Sequence, residues 1–276
     1  MRIQIVDAFT TRPFAGNPAG VCLLPAGEWP DDPWLQRVAA ELNHPETAFA
    51  RPLSVGGGAE WEIRWFTPLV EASLCGHATL ATVHTMRREG LLTGPVRFRS
   101  RFSGLLAARA KDDGSITLDF PAAPCTETAV PEGLAAALGI RPEAVLGTGA
   151  LGDLITVLPD EATVRALRPD LAALAALTPR ENLRGVAVTA RAASAGLGYD
   201  FVSRYFAPAN GIPEDPVTGS AHTALAPYWA ARLGRTDGLT GFQASARTGL
   251  VRTALRGDRV LLTGHAVTVL EATLAT

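Results

Sequence analysis

The chain has 276 residues, 47% of them apolar, and 25 Lys/Arg balance 27 Asp/Glu to a net charge of −2. That length and apolar content allow one large domain or two medium ones with a real core, and the balanced charge, without a basic run, excludes nucleic acid or an anionic membrane as the main partner. No apolar segment is long enough to span a bilayer, and Cys22, Cys75 and Cys125 lack the number and spacing of a disulfide framework or zinc site, so a reducing cytoplasm is the expected home.

Residues 3–9 combine alternation with branched apolar side chains and read as a strand rather than the core of a signal segment. A Gly/Asn/Pro-rich turn at 14–20 and a short strand at 21–24 follow. Asp32-Pro33 opens a helix expected to end near Asn43, with the carboxylate as cap and proline at the first helical position. Residues 47–53 read as a strand, Gly56-Gly57-Gly58 as a turn, and the alternation of Trp61, Ile63 and Trp65 as another strand. The helix expected at 76–89, stopped by Gly90, is apolar almost all round and so should be buried all round. Strands at 96–101, 105–110 and 115–120 follow, the last two joined by an Asp113-Gly114 hairpin turn. Residues 121–131 make the best linker, so the expected domains are 1–125 and 126–276.

The second half alternates similarly. Helices are expected at 131–138, 160–167 and 170–177, and strands at 155–158, 186–189 and 200–206. A second apolar helix starts at Gly219 and runs toward Leu233, with Pro227 expected to kink it or break a turn. Strands near 241–248, 250–255 and 260–270, with a Gly257-Asp258 turn, close the chain.

The two apolar helices belong to a repeat. RWFTP at 64–68 is echoed by RYFAP at 204–208, an offset of 140 residues, and Gly76 aligns with Gly219 at an offset of 143. Two copies of one strand–loop–helix unit are expected to face each other across a cleft. The fold class is α+β, with two similar domains, each a sheet or barrel wrapped round its apolar helix.

The chemistry is expected at the two helix starts, where unpaired N–H groups and the positive end of the dipole suit a carboxylate or phosphate. Gly76 and Gly219 let a ligand approach the backbone, or else simply serve tight turns. His77 would be kept neutral by the dipole; alone it reads as a satisfied core histidine. Ser220 is its counterpart, with helix capping as its plain role. Asp215 either orients His77, binds a polar substrate group, or makes turn contacts beside Pro216. Glu46, wedged between Pro45 and an apolar run, is placed to have a raised pKa suited to proton transfer, or is an exposed strand-start glutamate. Cys75 would suggest a two-thiol racemase, but its counterpart is Thr218, so packing is its plainer role. The five histidines show no metal spacing, so no metal is expected.

Four segments, VDAFTTRPFAGNPAGV at 6–21, NHPETAFA at 43–50, RWFTPLVEASLCGHATLAT at 64–82 and EDPVTGSAHTALAPYW at 214–229, together resemble the PhzF-like isomerase family of phenazine biosynthesis. The resemblance implies the diaminopimelate-epimerase-like fold, with two pseudo-symmetric domains and the active site between them. It also implies a homodimer and a reaction without metal or organic cofactor. Carried over by motif, Glu46 is the acid/base carboxylate that moves a proton between ring carbons of 2,3-dihydro-3-hydroxyanthranilate. His77, Asp215 and Ser220 match the other polar catalytic positions, the backbone at Gly76 and Gly219 would hold the substrate carboxylate, and Asn17 and Thr218 join them in substrate binding. His44-Pro45 departs from family members that carry a small hydroxyl residue before the glutamate. Two alternatives stand beside this reading: an epimerase or racemase of an amino or hydroxy acid, and an inactive carboxylate-binding protein.

Overall fold

The structure, a computed structural model, describes residues 1–53 and 58–275. Gly56 and Gly57 of the expected glycine turn lie outside the described residues, and Gly58 has the left-handed φ of 79° that such a turn uses. The chain divides into two compact units, Met1–Phe120 with Thr263–Thr276, and Pro121–Leu262. The division falls at the start of the region read as linker, five residues ahead of the expected boundary. The last segment belongs to the first unit rather than the second.

In the first unit run β1 (Arg2–Ala8), β2 (Asn17–Leu23), α1 (Asp32–Leu42), β3 (Glu46–Pro52), β4 (Trp61–Phe66), β5 (Glu71–Ala72), α2 (Gly76–Arg88), β6 (Val96–Ser100), β7 (Gly104–Ala110) and β8 (Ile116–Pro121). In the second run β9 (Thr126–Glu127), α3 (Leu134–Leu138), β10 (Ala144–Gly147), β11 (Asp153–Val157), α4 (Glu161–Ala166), α5 (Leu171–Arg180), β12 (Gly185–Arg191), β13 (Phe201–Ala207), β14 (Ile212–Asp215), α6 (Gly219–Leu233), β15 (Leu239–Gln243), β16 (Gly249–Arg256) and most of β17 (Arg259–Gly264). β18 (Ala266–Thr273) returns to the first unit and pairs antiparallel with β1 along its length. The stretch read as one strand over 260–270 is thus two strands.

The repeat extends to strand pairing. Along β1–β2–β3–β4–β6–β7 successive pairs are antiparallel, parallel, antiparallel, parallel and antiparallel. Along β10–β11–β12–β13–β15–β16 the order is identical. A parallel pair needs a crossover, and helices fill each one: α1 and α2 in the first unit, α4 with α5, and α6, in the second. Each unit also has a short return strand within the supposed loop before its apolar helix. β5 pairs back on β4 with Phe66 opposite Glu71, and β14 pairs back on β13 with Tyr205 opposite Asp215.

Each apolar helix sits where its pattern predicts. From Gly76 to Met86 every α2 residue except His84 is buried, and the helix touches β1, β2, β3, β7 and β18, strands from opposite ends of the pairing order. The sheet of the first unit therefore wraps its helix. α6 is buried from Gly219 to Ala226 and packs on β11, β15 and β16. Pro227 does not interrupt α6, which runs on to a left-handed Gly234. α1 is capped by Asp31, one residue earlier than expected, through a 2.6 Å bond from the Trp34 N–H. Among the described residues no helix is long and apolar enough to cross a membrane.

Candidate active site

The first unit assembles Glu46, Asn17, Cys75 and His77. β2 and β3 run parallel with Ala19 beside Glu46, which brings the start of β3 next to the first turns of β2. α2 begins at Gly76, so His77 projects from its opening turn. The Asn17 amide, fully buried, donates to His77 Nδ1 at 3.0 Å. That bond fixes the tautomer: Nδ1 accepts, so Nε2 carries the proton. Nε2 stands 3.5 Å from Glu46 Oε2.

That spacing is within ion-pair reach, but the imidazole is not a cation. Burial first, and the His44 charge second, push the His77 pKa down to about 3. Its place at a helix start acts in the same direction. The pair is therefore a neutral N–H facing a carboxylate, with the carboxylate side chain still 13% exposed and open to a ligand.

Cys75 is buried, with Sγ 3.5 Å from His77 Nδ1. One ligand atom each from Glu46, Cys75 and His77 lie within 4.8 Å of one another, a spacing short enough to suggest a metal cage. The ring orientation argues against it: Glu46 meets Nε2 while Cys75 meets Nδ1, and Nδ1 already accepts from Asn17. One cation would need both side chains on the same nitrogen's side.

The second unit assembles Asp215, Thr218, Ser220 and two residues that sequence reasoning did not single out, Gln243 and Arg184. Asp215 accepts from the Thr218 hydroxyl at 2.5 Å. Gln243 Oε1 accepts from the Thr218 N–H at 2.8 Å, and its Nε2 donates to the Asp215 carbonyl at 2.7 Å and Thr218 Oγ1 at 3.0 Å. Asp215 thus makes turn contacts at the helix entrance. Ser220 is not the cap of α6: Thr218 holds that position, and Ser220 is the second helical residue, its Oγ accepting from Arg184 at 2.9 Å.

The helix starts share one more property. Asp side chains cap α1, α4 and α5, whereas α2 and α6 begin at Cys75 and Thr218 with no side-chain cap. The opening N–H groups at Gly76–His77 and Gly219–Ser220 thus lack the side-chain acceptor that α1, α4 and α5 carry, as the five-residue α3 also does, and this leaves them able to meet an acceptor brought by a ligand.

One order of strand pairing, built twice, each copy with a buried apolar helix that opens on polar side chains, defines an α+β protein of two similar units. The chain belongs to the phenazine biosynthesis-like protein family, PhzC-PhzF, which it matches over residues 6–272, and it is an isomerase. A Pseudomonas aeruginosa relative described as an uncharacterized isomerase is 48% identical over 98% of this chain and 96% of its own. The crystal structure of a PhzF-family protein from Enterococcus faecalis superimposes with a TM-score of 0.84 at 39% identity, covering 99% of both chains. A hydroxyproline epimerase from Agrobacterium vitis, with bound trans-4-hydroxy-L-proline, shares the fold at a TM-score of 0.63 and 14% identity over 99% of this chain and 91% of its own.

Proposed function

We propose that this isomerase moves a proton between two carbons of a small cyclic carboxylate, with Glu46 as the acid/base group. The observation that carries the reading is the Glu46–His77 pair, in which a partly open carboxylate faces a buried, neutral imidazole N–H. Glu46 takes the proton as one C–H bond breaks, the electron pair moves through the conjugated system, and the same carboxylate returns the proton as a new C–H bond forms. The charge that builds up meets fixed donors, the His77 N–H and the opening amides of α2. A single carboxylate suffices when both carbons present the same face. The proposal extends to the opening amides and Ser220 of α6 as carboxylate-binding groups. It extends also to a homodimer in the cytoplasm acting on trans-2,3-dihydro-3-hydroxyanthranilate, as the family resemblance implies.

Inversion of a stereocentre asks for a second base on the opposite face. The counterpart of Cys75 is Thr218, and its hydroxyl is committed to Asp215 and Gln243. This disfavours the epimerase alternative. An inactive binding protein would have no use for a base held beside a neutral donor. The test is proton NMR in D₂O with trans-2,3-dihydro-3-hydroxyanthranilate. Conversion by the wild type supports the substrate. Catalysed inversion of an amino or hydroxy acid, with no ring isomerisation, would replace this reading with the epimerase.

A further inference from the structure

The duplicated registers identify what stands at the Glu46 position in the second unit. In the first unit Thr47 pairs with Phe66 and Ala48 with Trp65. In the second Val186 pairs with Phe206 and Ala187 with Tyr205. The residue preceding Thr47 is Glu46, and the residue preceding Val186 is Gly185. A Cβ at Gly185 would lie 2.3 Å from the Tyr205 hydroxyl, so the phenol occupies the space a side chain would need. Tyr205 donates to Asp153 Oδ1 at 2.7 Å, and burial keeps the phenol neutral by raising its pKa.

Arg184 comes immediately before Gly185. Its Nε and Nη2 grip the Asp153 carboxylate at 2.9 and 2.5 Å, and Nη2 also donates to Ser220 Oγ at 2.9 Å. Ser220 stands, at the 143-residue offset, where the first unit has His77. So a carboxylate faces an imidazole in one copy, and a guanidinium faces a hydroxyl in the other.

The second arrangement has a direction. A guanidinium can only donate, so the Ser220 oxygen is used as an acceptor and its hydrogen is left to be given away. Neighbouring positive charge and the start of α6 make a negative oxygen the preferred recipient. Neutralising Asp153, whose side chain is fully buried, explains the Asp153–Arg184 pair but not the Ser220 contact, nor the 23% exposure of Arg184 at the helix start.

We propose that Arg184 is a positioning residue of this enzyme: by holding Ser220 as a donor, it directs that hydroxyl to the carboxylate of the substrate. The inference rests on the carboxylate-isomerase reading above, and its test does not depend on turnover. Full-length protein is titrated calorimetrically with anthranilate and with anthranilamide, which lacks the charge. The wild type is expected to prefer anthranilate by about tenfold or more, the scale of a hydrogen bond to a charged group. Arg184→Lys keeps a cation but loses the fork, and should reduce the preference to within about threefold, as should Ser220→Ala; combining them should cost no more than either alone, the mark of residues acting as a unit.

Arg184→Met/Asp153→Asn removes both charges of the buried pair while leaving Tyr205 an acceptor, and gives the same loss in a protein without a stranded carboxylate. Retention of the wild-type preference by Arg184→Lys, or by the double variant, overturns the inference, as does a wild type that binds both probes alike. Glu46→Gln separates the two claims. It should keep the preference while losing turnover, and normal turnover in that variant would sink the acid/base reading while the Arg184 result stands or falls by itself.

Discussion

Asn17 donates to Nδ1 of His77 at 3.0 Å, and this bond decides which nitrogen His77 turns toward Glu46. The two residues lie 60 positions apart, one at the start of β2 and the other in the first turn of α2. A ring held by its Nδ1 presents Nε2–H to the carboxylate; a free ring would populate both tautomers and both orientations.

Nitrogen NMR of labelled protein should therefore show His77 as the neutral Nε2–H tautomer at pH 7. Asn17→Ala removes the bond, leaves the ring to rotate, and should lower kcat by about tenfold or more, since a misplaced catalytic group is costly. A His77 signal in the Nδ1–H form in the wild type would refute this arrangement.

The pH dependence of stability follows from the buried imidazoles. Burial lowers His77 to about 3 and His222 to about 4, against an ordinary value of 6.5. Below 6.5 the unfolded chain binds protons that the folded one refuses, so stability is full above that pH and falls as pH drops toward 4 and then 3. Each of the two contributes up to about 1.4 kcal/mol per pH unit in that window. Chemical denaturation between pH 7 and 5 should show the decline, and His222→Gln should make it shallower by about one proton.

Cys75→Ala separates the proton shuttle from a thiol mechanism. The thiol is buried beside His77 but has no counterpart thiol, and Cys22 and Cys125 are pushed up to about 12 and about 11 by burial. Activity within about threefold of wild type is expected, because a small buried thiol contributes packing alone. Complete loss with the fold intact would restore the thiol to the mechanism.

Arg64 and Arg204 should be equally costly to truncate. Arg64 grips Glu71 with bonds of 2.7 and 2.8 Å and lies 5.1 Å over the Phe66 ring. Arg204 grips Glu214 with bonds of 2.7 and 2.9 Å and lies 5.0 Å over Phe206. Each Ala variant should lose about 3 kcal/mol in urea titration, at the lower end for a broken buried pair because the carboxylates keep some exposure. A large difference between the two would mean that the repeat is preserved in shape and not in energetics.

The duplicated core was legible because its signal is local. RWFTP and RYFAP, two helix openings and two apolar helices stand in the same order in each half, and Arg, Phe and Gly recur in the same roles. Glu46 and His77 stood out by their surroundings, a carboxylate entering an apolar strand and an imidazole at a helix start, but their roles came only with the family resemblance. What stayed hidden depends on contacts between distant residues. The Asn17–His77 bond follows from the packing of α2 on β2, and nothing around Arg184 distinguishes it from the other arginines until β11 brings Asp153 and α6 brings Ser220 to it. The return strands β5 and β14 are too short for a period to show. The C-terminal strand follows a continuous apolar pattern through His265, and only its pairing with β1 assigns it to the first unit.

The central claim is that one carboxylate carries the proton, and the direct measurement is kcat for Glu46→Gln on trans-2,3-dihydro-3-hydroxyanthranilate, beside a melting curve for each protein. Glutamine keeps the shape and cannot take a proton from carbon. Loss of about 10²–10⁴-fold in kcat, with an unchanged melting temperature, is the predicted result. A variant that turns over at the wild-type rate would contradict the account.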